Sequence, residues 1–281
     1  MNFVKINPKD IDLKTRYHLL ISSISPRPIA LVGTKDKNSN INLAPFSFFN
    51  GFGANPPIIG FSPALSGKTG LPKDTLLNIN ETKEFTVSVV TEDIVNQVSL
   101  SSCEYDSNVD EFIKAGFTKK KSLKVKPPGV EESPIIMECK LREIINLGGQ
   151  PGSGNLILGE VVMFHVKDNK IDANKYIDPR NINHVGRSGG GWYTSSLKSF
   201  FELNKPKGIG IGFDNLPKTI LESDLSGKYL SMLASVDSIP KLKNINMYVS
   251  HSIEDVLKLV KKLLDENKIN DAWQVILNWM K

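Results

Sequence analysis

Three apolar runs stand so close together near the start of the chain that they restrict the topology available to it. Pro28–Thr34 (PIALVGT), Ile41–Asn50 (INLAPFSFFN) and Pro56–Ser62 (PPIIGFS) are separated only by the polar turn Lys35–Asn40 and the short stretch GFGAN. β-branched and aromatic runs bounded by turn formers read as strands. A parallel pair needs a crossover of about a dozen residues or more, so connections this short dictate an antiparallel meander.

The pattern then changes period. Pro72 to Lys83 reads as a helix, with Pro72, Asp74 and Thr75 as start signals and Leu76, Leu77 and Ile79 as its apolar positions. Glu84–Val90 alternates like a half-buried strand, Thr91 opens a helix through Leu100, and Asp110–Ala115 is a short helix stopped by Gly116. Two long strand candidates, Pro134–Ile145 and Asn155–Val166, flank the turn LGGQPGSG. A sheet-dominated domain over residues 1–204 is therefore expected. In 205–281 a strand-like GIGIGF leads into a proline-punctuated segment up to Ile239 and Pro240. A helix from Ser252 carries Val256, Leu257, Val260 and Leu264, and a final helix carries Trp273 and Ile276. The expected fold class is mainly β (α+β), with this helical tail packed on the sheet domain or on a partner subunit.

Composition narrows the function classes. A formal charge of +5 over 281 residues suits a phosphate-bearing ligand and is no nucleic-acid signature. The run Lys119, Lys120, Lys121, Lys124 and Lys126 has no interleaved aromatics to stack bases and reads as a solvated loop. Two cysteines, Cys103 and Cys139, make no disulfide framework, and MNFVKINPKDIDLK has no apolar signal core, so a cytoplasmic setting is expected. No apolar run approaches the ~18 residues of a membrane span, so no membrane role is expected.

Most catalytic motifs fail on chemistry. In GFSPA the residue after the serine is Pro63, which lacks the N–H that an oxyanion hole requires. GKT at Gly67–Thr69 would need a glycine where Ser62 stands to be a phosphate loop. His18, His165, His184 and His251 show no metal-ligand spacing, and His165 reads as a hydrogen-bonded strand residue. No metal site and no dedicated catalytic residue is expected.

One constellation survives. The second strand presents Asn42 and Ser47 beside Phe46, Phe48 and Phe49, a polar edge with an aromatic wall that suits a flat heterocycle. Some thirty residues on, Lys73, Asp74 and Thr75 stand at a helix start, where unpaired N–H groups, the helix dipole and an ammonium can converge on phosphate. Asp74 itself reads better as the helix cap than as a ligand, because a carboxylate repels phosphate. Together the halves imply a phosphorylated planar cofactor.

The segments SPRPIALVGT, NLAPFSFFN, PPIIGFSP, KDTLLNI with EFTVSVV, DEFIKAGFT, VKPPGVEESPIIMECKL, NLILGEVVMFHV and HVGRSGGGWY occur in this order. In that order the chain resembles the flavin reductase-like, FMN-binding split-barrel proteins over residues 21–194. GIGFDNLPKTILES and SVDSIP are similar to the C-terminal segment of longer members.

The resemblance implies a split β-barrel homodimer with FMN near the subunit interface and NADH or NADPH as electron donor. By similarity Ala44, Pro45, Phe46 and Phe48 line the ring, with Asn42 and Ser47 as polar contacts. Ser62, Lys73, Asp74, Thr75 and Asn78 hold ribityl and phosphate, Arg27 is the arginine before the first barrel strand, and His184, Arg187 and Tyr193 stand at the rim. Two departures matter. An extra GLP separates Gly67, Lys68 and Thr69 from Lys73, so either lysine can serve the phosphate, and Gly154 stands where members often carry histidine. A non-enzymatic FMN electron carrier docking a protein partner, and a related enzyme handling pyridoxal phosphate, are the competing readings.

Overall fold

A computed structural model describes residues 2–197, 199–203, 208–243 and 252–281. In chain order its strands are β1 (Arg27–Pro28), β2 (Ala30–Lys35), β3 (Ile41–Phe46), β4 (Phe49–Ala54), β5 (Pro57–Phe61), β6 (Glu84–Val89), β7 (Lys119–Lys120), β8 (Gly129–Val130), β9 (Ile135–Asn146), β10 (Asn155–Val166), β11 (Val185–Arg187) and β12 (Tyr193–Ser195). The helices are α1 (Leu13–Ser23), α2 (Asp74–Thr82), α3 (Val95–Leu100), α4 (Glu111–Ala115), α5 (Lys218–Leu221), α6 (Gly227–Ala234), α7 (Ile253–Asp265) and α8 (Ile269–Trp279). The chain divides into two compact units, Met1–Phe200 and Phe201–Lys281.

In the first unit seven strands form one antiparallel sheet in the order β3-β2-β6-β9-β10-β5-β4. A flat sheet of seven strands would hold its edges about 29 Å apart, at ~4.8 Å per strand. Yet the edge strands β3 and β4 are joined by Ser47 and Phe48 alone, a link that reaches at most about 10 Å. The sheet must therefore curl until its two edges meet. Since β3 and β4 share no ladder, the cylinder is a split barrel.

Its interior is filled by Ala30, Val32, Ile59, Phe61, Ile79, Phe85, Val87, Met137, Cys139, Ile157 and Val161. A second cluster, including Ile29, Leu31, Leu43, Val98, Phe112 and Val130, covers the outside of β2 and β3. The alternation of Ala30 and Val32 with Ile29 and Leu31 is the period-two pattern of a strand buried on both faces. Gly116 ends α4 in the left-handed conformation at φ 69°.

Several elements differ from expectation. The run Ile41–Asn50 is not one strand: it breaks at Ser47, and Gly51–Ala54 of the connection belong to β4. The helix expected from Thr91 begins as a 3-10 turn at Glu92–Ile94 before α3. Helix α1 was not signalled, because only Ile21 of its apolar residues is buried; it starts where Asp12 accepts the amide of Thr15 at 2.9 Å.

The second unit has its own core, in which Val256, Leu257, Val260 and Leu264 of α7 meet Trp273 and Ile276 of α8 and Ile220, Leu230 and Leu233. The Trp273 indole donates to the Leu233 carbonyl at 3.1 Å. The proline-punctuated segment holds α5 and α6, and GIGIGF forms no strand among the described residues. Instead the amide of Ile211 bonds the Val236 carbonyl at 2.9 Å. A Cβ on Gly210 would lie 2.6 Å from the Ala234 carbonyl oxygen, so this glycine serves close backbone approach. The expected boundary at 204–205 and His251 lie outside the described residues.

Candidate functional site

The interior aromatics carry the first part of the site. Phe61 is fully buried and packs against Phe46 (ring centroids 5.3 Å apart) and Phe85 (5.5 Å). Phe46 thus leans into the barrel from the last position of β3, and Ala44, Pro45, Ser47 and Phe48 stay half-buried around the turn where the two sheet edges meet. The ladder with β2 pairs Asn42 with Thr34, Ala44 with Val32 and Phe46 with Ala30. On the opposite edge the Leu43 amide is taken by the Glu111 carboxylate at 2.9 Å. In an antiparallel pair alternate residues face the neighbour, so the amides of Asn42, Ala44 and Phe46 belong to β2. Pro45 has no N–H. The amides of Ser47 and Phe48, which lie outside both strands, have no acceptor among the described residues.

The second part is a buried polar network that joins this strand to the start of α2. Asn42 donates its amide to Thr34 Oγ1 (3.2 Å) and Thr75 Oγ1 (3.0 Å), and Asn78 donates to the same Thr34 oxygen at 3.1 Å. Thr34, Asn42 and Thr75 are buried. The cap of α2 is Lys73, not the expected Asp74, which occupies the first helical turn instead. Lys73 caps with extended backbone and makes no side-chain bond to the helix. The amides of Asp74 and Thr75 have no acceptor among the described residues, as the open end of a helix requires. The Lys73 ammonium meets Glu104 at 3.3 Å, Lys68 lies exposed in the preceding turn, and half-buried Ser62 donates its amide to the Phe48 carbonyl at 2.9 Å. A Cβ on Gly154 would lie 2.7 Å from Ser62 Oγ, so Ser62 occupies the space that a larger residue at 154 would need.

Arg27, the arginine before the first barrel strand, is buried and tied into the backbone around it. Its guanidinium donates to the carbonyls of Ile21, Ile24 (2.6 Å) and Ser188 (3.2 Å) and lies 3.4 Å from Ser47 Oγ, 6.0 Å from the centre of the Phe48 ring. Burial lowers its pKa, and neighbouring Arg187 adds to the effect. It closes the end of α1 and steadies Ser47. Across the small sheet β1-β11-β12, Arg27 faces Arg187 and Arg187 faces Tyr193, whose ring centre lies 4.5 Å from the Arg187 guanidinium. His184 pairs with Thr91, and burial lowers its pKa. The structure thus brings Asn42, Thr75 and Asn78 together directly, and ties Arg27, Arg187 and Tyr193 to the aromatic turn through Ser47. No hydrogen bond, ion pair or ring contact joins Lys68 or His184 to either group among the described residues. Sequence reasoning missed Thr34 and Glu111, whose only signals were a polar residue on an apolar strand and an acid opening a short helix.

Residues 22–183 match the flavin reductase like domain. The chain belongs to this family. A protein of Halalkalibacterium halodurans is 38% identical over 205 residues, covering 72% of this chain and 97% of the relative. Nitrilotriacetate monooxygenase component B of Bacillus cereus superimposes with a TM-score of 0.68 at 35% identity, over 72% of this chain and 100% of that one. The 2-nitrobenzoate 2-nitroreductase NbaA of Pseudomonas fluorescens does so with 0.66 at 28%, over 76% and 99%. A Shewanella frigidimarina protein described as having a split barrel domain follows with 0.63 at 29%, over 73% and 99%. The family match ends within the first unit, so the helical unit from Phe201 lies outside it.

Proposed function

We propose that the protein binds FMN and is an oxidoreductase of the flavin reductase type, using NADH or NADPH as donor and passing electrons to an acceptor. The observation that carries this reading is the Asn42–Thr34–Thr75–Asn78 network. It couples a half-buried aromatic turn to a helix start whose first amides have no acceptor among the described residues, which suits a flat ring and an anion on one scaffold. When bound, FMN supplies the hydride and electron chemistry, so no protein acid or base is required.

In this reading the residues bind and orient. The amides of Asp74 and Thr75 hold the phosphate, with Lys73 released from Glu104 toward it. Asn42, Ser62 and Asn78 border the ribityl chain, while Ala44, Pro45, Phe46 and Phe48 cover the ring and Ser47, steadied by Arg27, donates at its edge. Arg187, Tyr193 and His184 form the rim. The match to the flavin reductase like domain and the neighbouring monooxygenase component and nitroreductase support an oxidoreductase. A homodimer in the cytoplasm completes the proposal. The exposed stripe Leu13, Tyr17, Leu20 and Ile24 supports the dimer.

The test is to record the visible spectrum of the purified chain, add FMN, and then add NADH or NADPH without oxygen. The expected result is bound flavin that bleaches with one of the two nucleotides. A protein that stays colourless with FMN overturns the reading, and flavin reduced only by a protein donor moves it to the electron-carrier alternative. A pyridoxal phosphate band in the extracted chromophore identifies the third. Lys73→Ala is expected to weaken FMN binding by about 1.5–3 kcal/mol through loss of a charge-assisted contact. Unchanged affinity there, with a loss in Lys68→Ala, assigns the phosphate to Lys68.

A further inference from the structure

We infer that Glu111 is a positioning residue of the flavin site, holding edge strand β3 in its binding arrangement through the Leu43 amide. The inference rests on the FMN reading above. Glu111 opens α4, which Asp110 caps by accepting the Phe112 amide at 3.0 Å. Phe112 and Ala115 share a core cluster with Leu43, so α4 lies against the outer face of β3. Glu111 is only 7% exposed, and its carboxylate bonds the Leu43 N–H at 2.9 Å.

An edge strand is held by hydrogen bonds on one side only and needs other means to keep its place. On the outer edge of β3 the residues are Ile41, Leu43 and Pro45, and Pro45 has nothing to donate. Leu43 stands between Asn42, which enters the polar network toward Thr75, and Ala44–Pro45, which border the aromatic turn. A single bond at Leu43 thus acts on both halves of the site at once. Burial pushes the Glu111 carboxyl up, the amides of Leu43 and of Glu111 itself hold it down, and the acids Asp110 and Asp74 push it up again. Burying an acid there is costly unless its bond is used.

The test compares Glu111→Gln, Glu111→Asp and Glu111→Ala by FMN titration, by the shape of the bound flavin's visible band, and by thermal midpoint. Glutamine keeps an acceptor oxygen at the same reach and is expected to bind FMN within about threefold of the parent. Aspartate falls one methylene short of Leu43 and is expected to bind about tenfold more weakly, with an altered band, as alanine does where it folds. Full affinity and an unchanged band in Glu111→Asp would overturn the inference, as would a loss in Glu111→Gln equal to that in Glu111→Asp. A lowered midpoint with parental affinity in both would reduce Glu111 to a structural residue and overturn it too. Failure of the parent protein to bind FMN would instead sink the flavin reading itself.

Discussion

Phe61→Ala is expected to cost about 3–5 kcal/mol of folding stability, read from the urea midpoint at unchanged slope. Phe61 is fully buried in the barrel interior, ladders with β4 and β10 on its two sides, and carries the tilted ring of Phe46 and the edge-on ring of Phe85. Truncation removes the area of a whole ring and leaves a cavity that two rigid neighbours cannot collapse into. Because Phe46 leans on Phe61, the aromatic turn loses its support as well, so FMN affinity should fall even where the variant is fully folded. A loss below about 1 kcal/mol would show that the interior repacks freely and that Phe46 is not held from within.

Glu138→Leu should be comparably severe, about 3–5 kcal/mol, because it removes one partner of a buried charged network. Glu138 is 0% exposed, and its carboxylate accepts the amides of Leu123 (2.7 Å), Lys124 and Val125 (3.0 Å) together with His165 of β10. Burial alone would raise its pKa, but the bond from His165 and those three amides outweigh it and the net shift is downward. A carboxyl whose folded pKa lies below its unfolded one contributes stability above the ordinary carboxylate range, and that contribution vanishes as pH falls through the folded value. The parent protein should therefore lose stability on acidification through this range, and Glu138→Leu should lose less. Parallel pH profiles for the two proteins would overturn the assignment.

The lysine-rich run shows why such a feature escapes a linear reading. Its side chains, as expected, are mostly exposed, but Lys119 and Lys120 form β7 against β8 and are not loop, and their ammoniums pair with Asp110 and Glu131. Its backbone, however, is gripped by Glu138, which lies on β9 well along the chain. Charge runs and turn formers describe what a segment does toward water; they carry no information on which distant carboxylate reaches its amides.

The same distinction holds at the candidate site. Asn42 and Thr75 drew attention as polar residues at a strand and at a helix start, and Asn78 through the resemblance alone; the structure joins all three through Thr34 and Thr75. Thr34 was hidden inside an apolar strand, and its hydroxyl gains a role only when β2 and α2 bring Asn42 and Asn78 onto one oxygen. Arg27 was legible as a residue of interest, but its donors are taken up by carbonyls at the end of a helix that only packing reveals.

By itself the sequence determined that the first strands run antiparallel, through connections too short for crossovers, and the helical character of the tail, through its apolar spacing; the continuous meander it pointed to is broken between β3 and β4, which share no ladder. That the sheet closes on itself was implied by the resemblance, but its physical cause is visible only in the tertiary structure, since the two-residue link between β3 and β4 is a constraint only once both are known to be edges. It also decided that GIGIGF passes as a close-packed loop and not a strand, and that Glu111 and Glu138 are spent on backbone amides. The physical reason is common to all of these. Periodicity is a local property of the chain, while the partner that satisfies a buried polar group is chosen by which segments the core draws together.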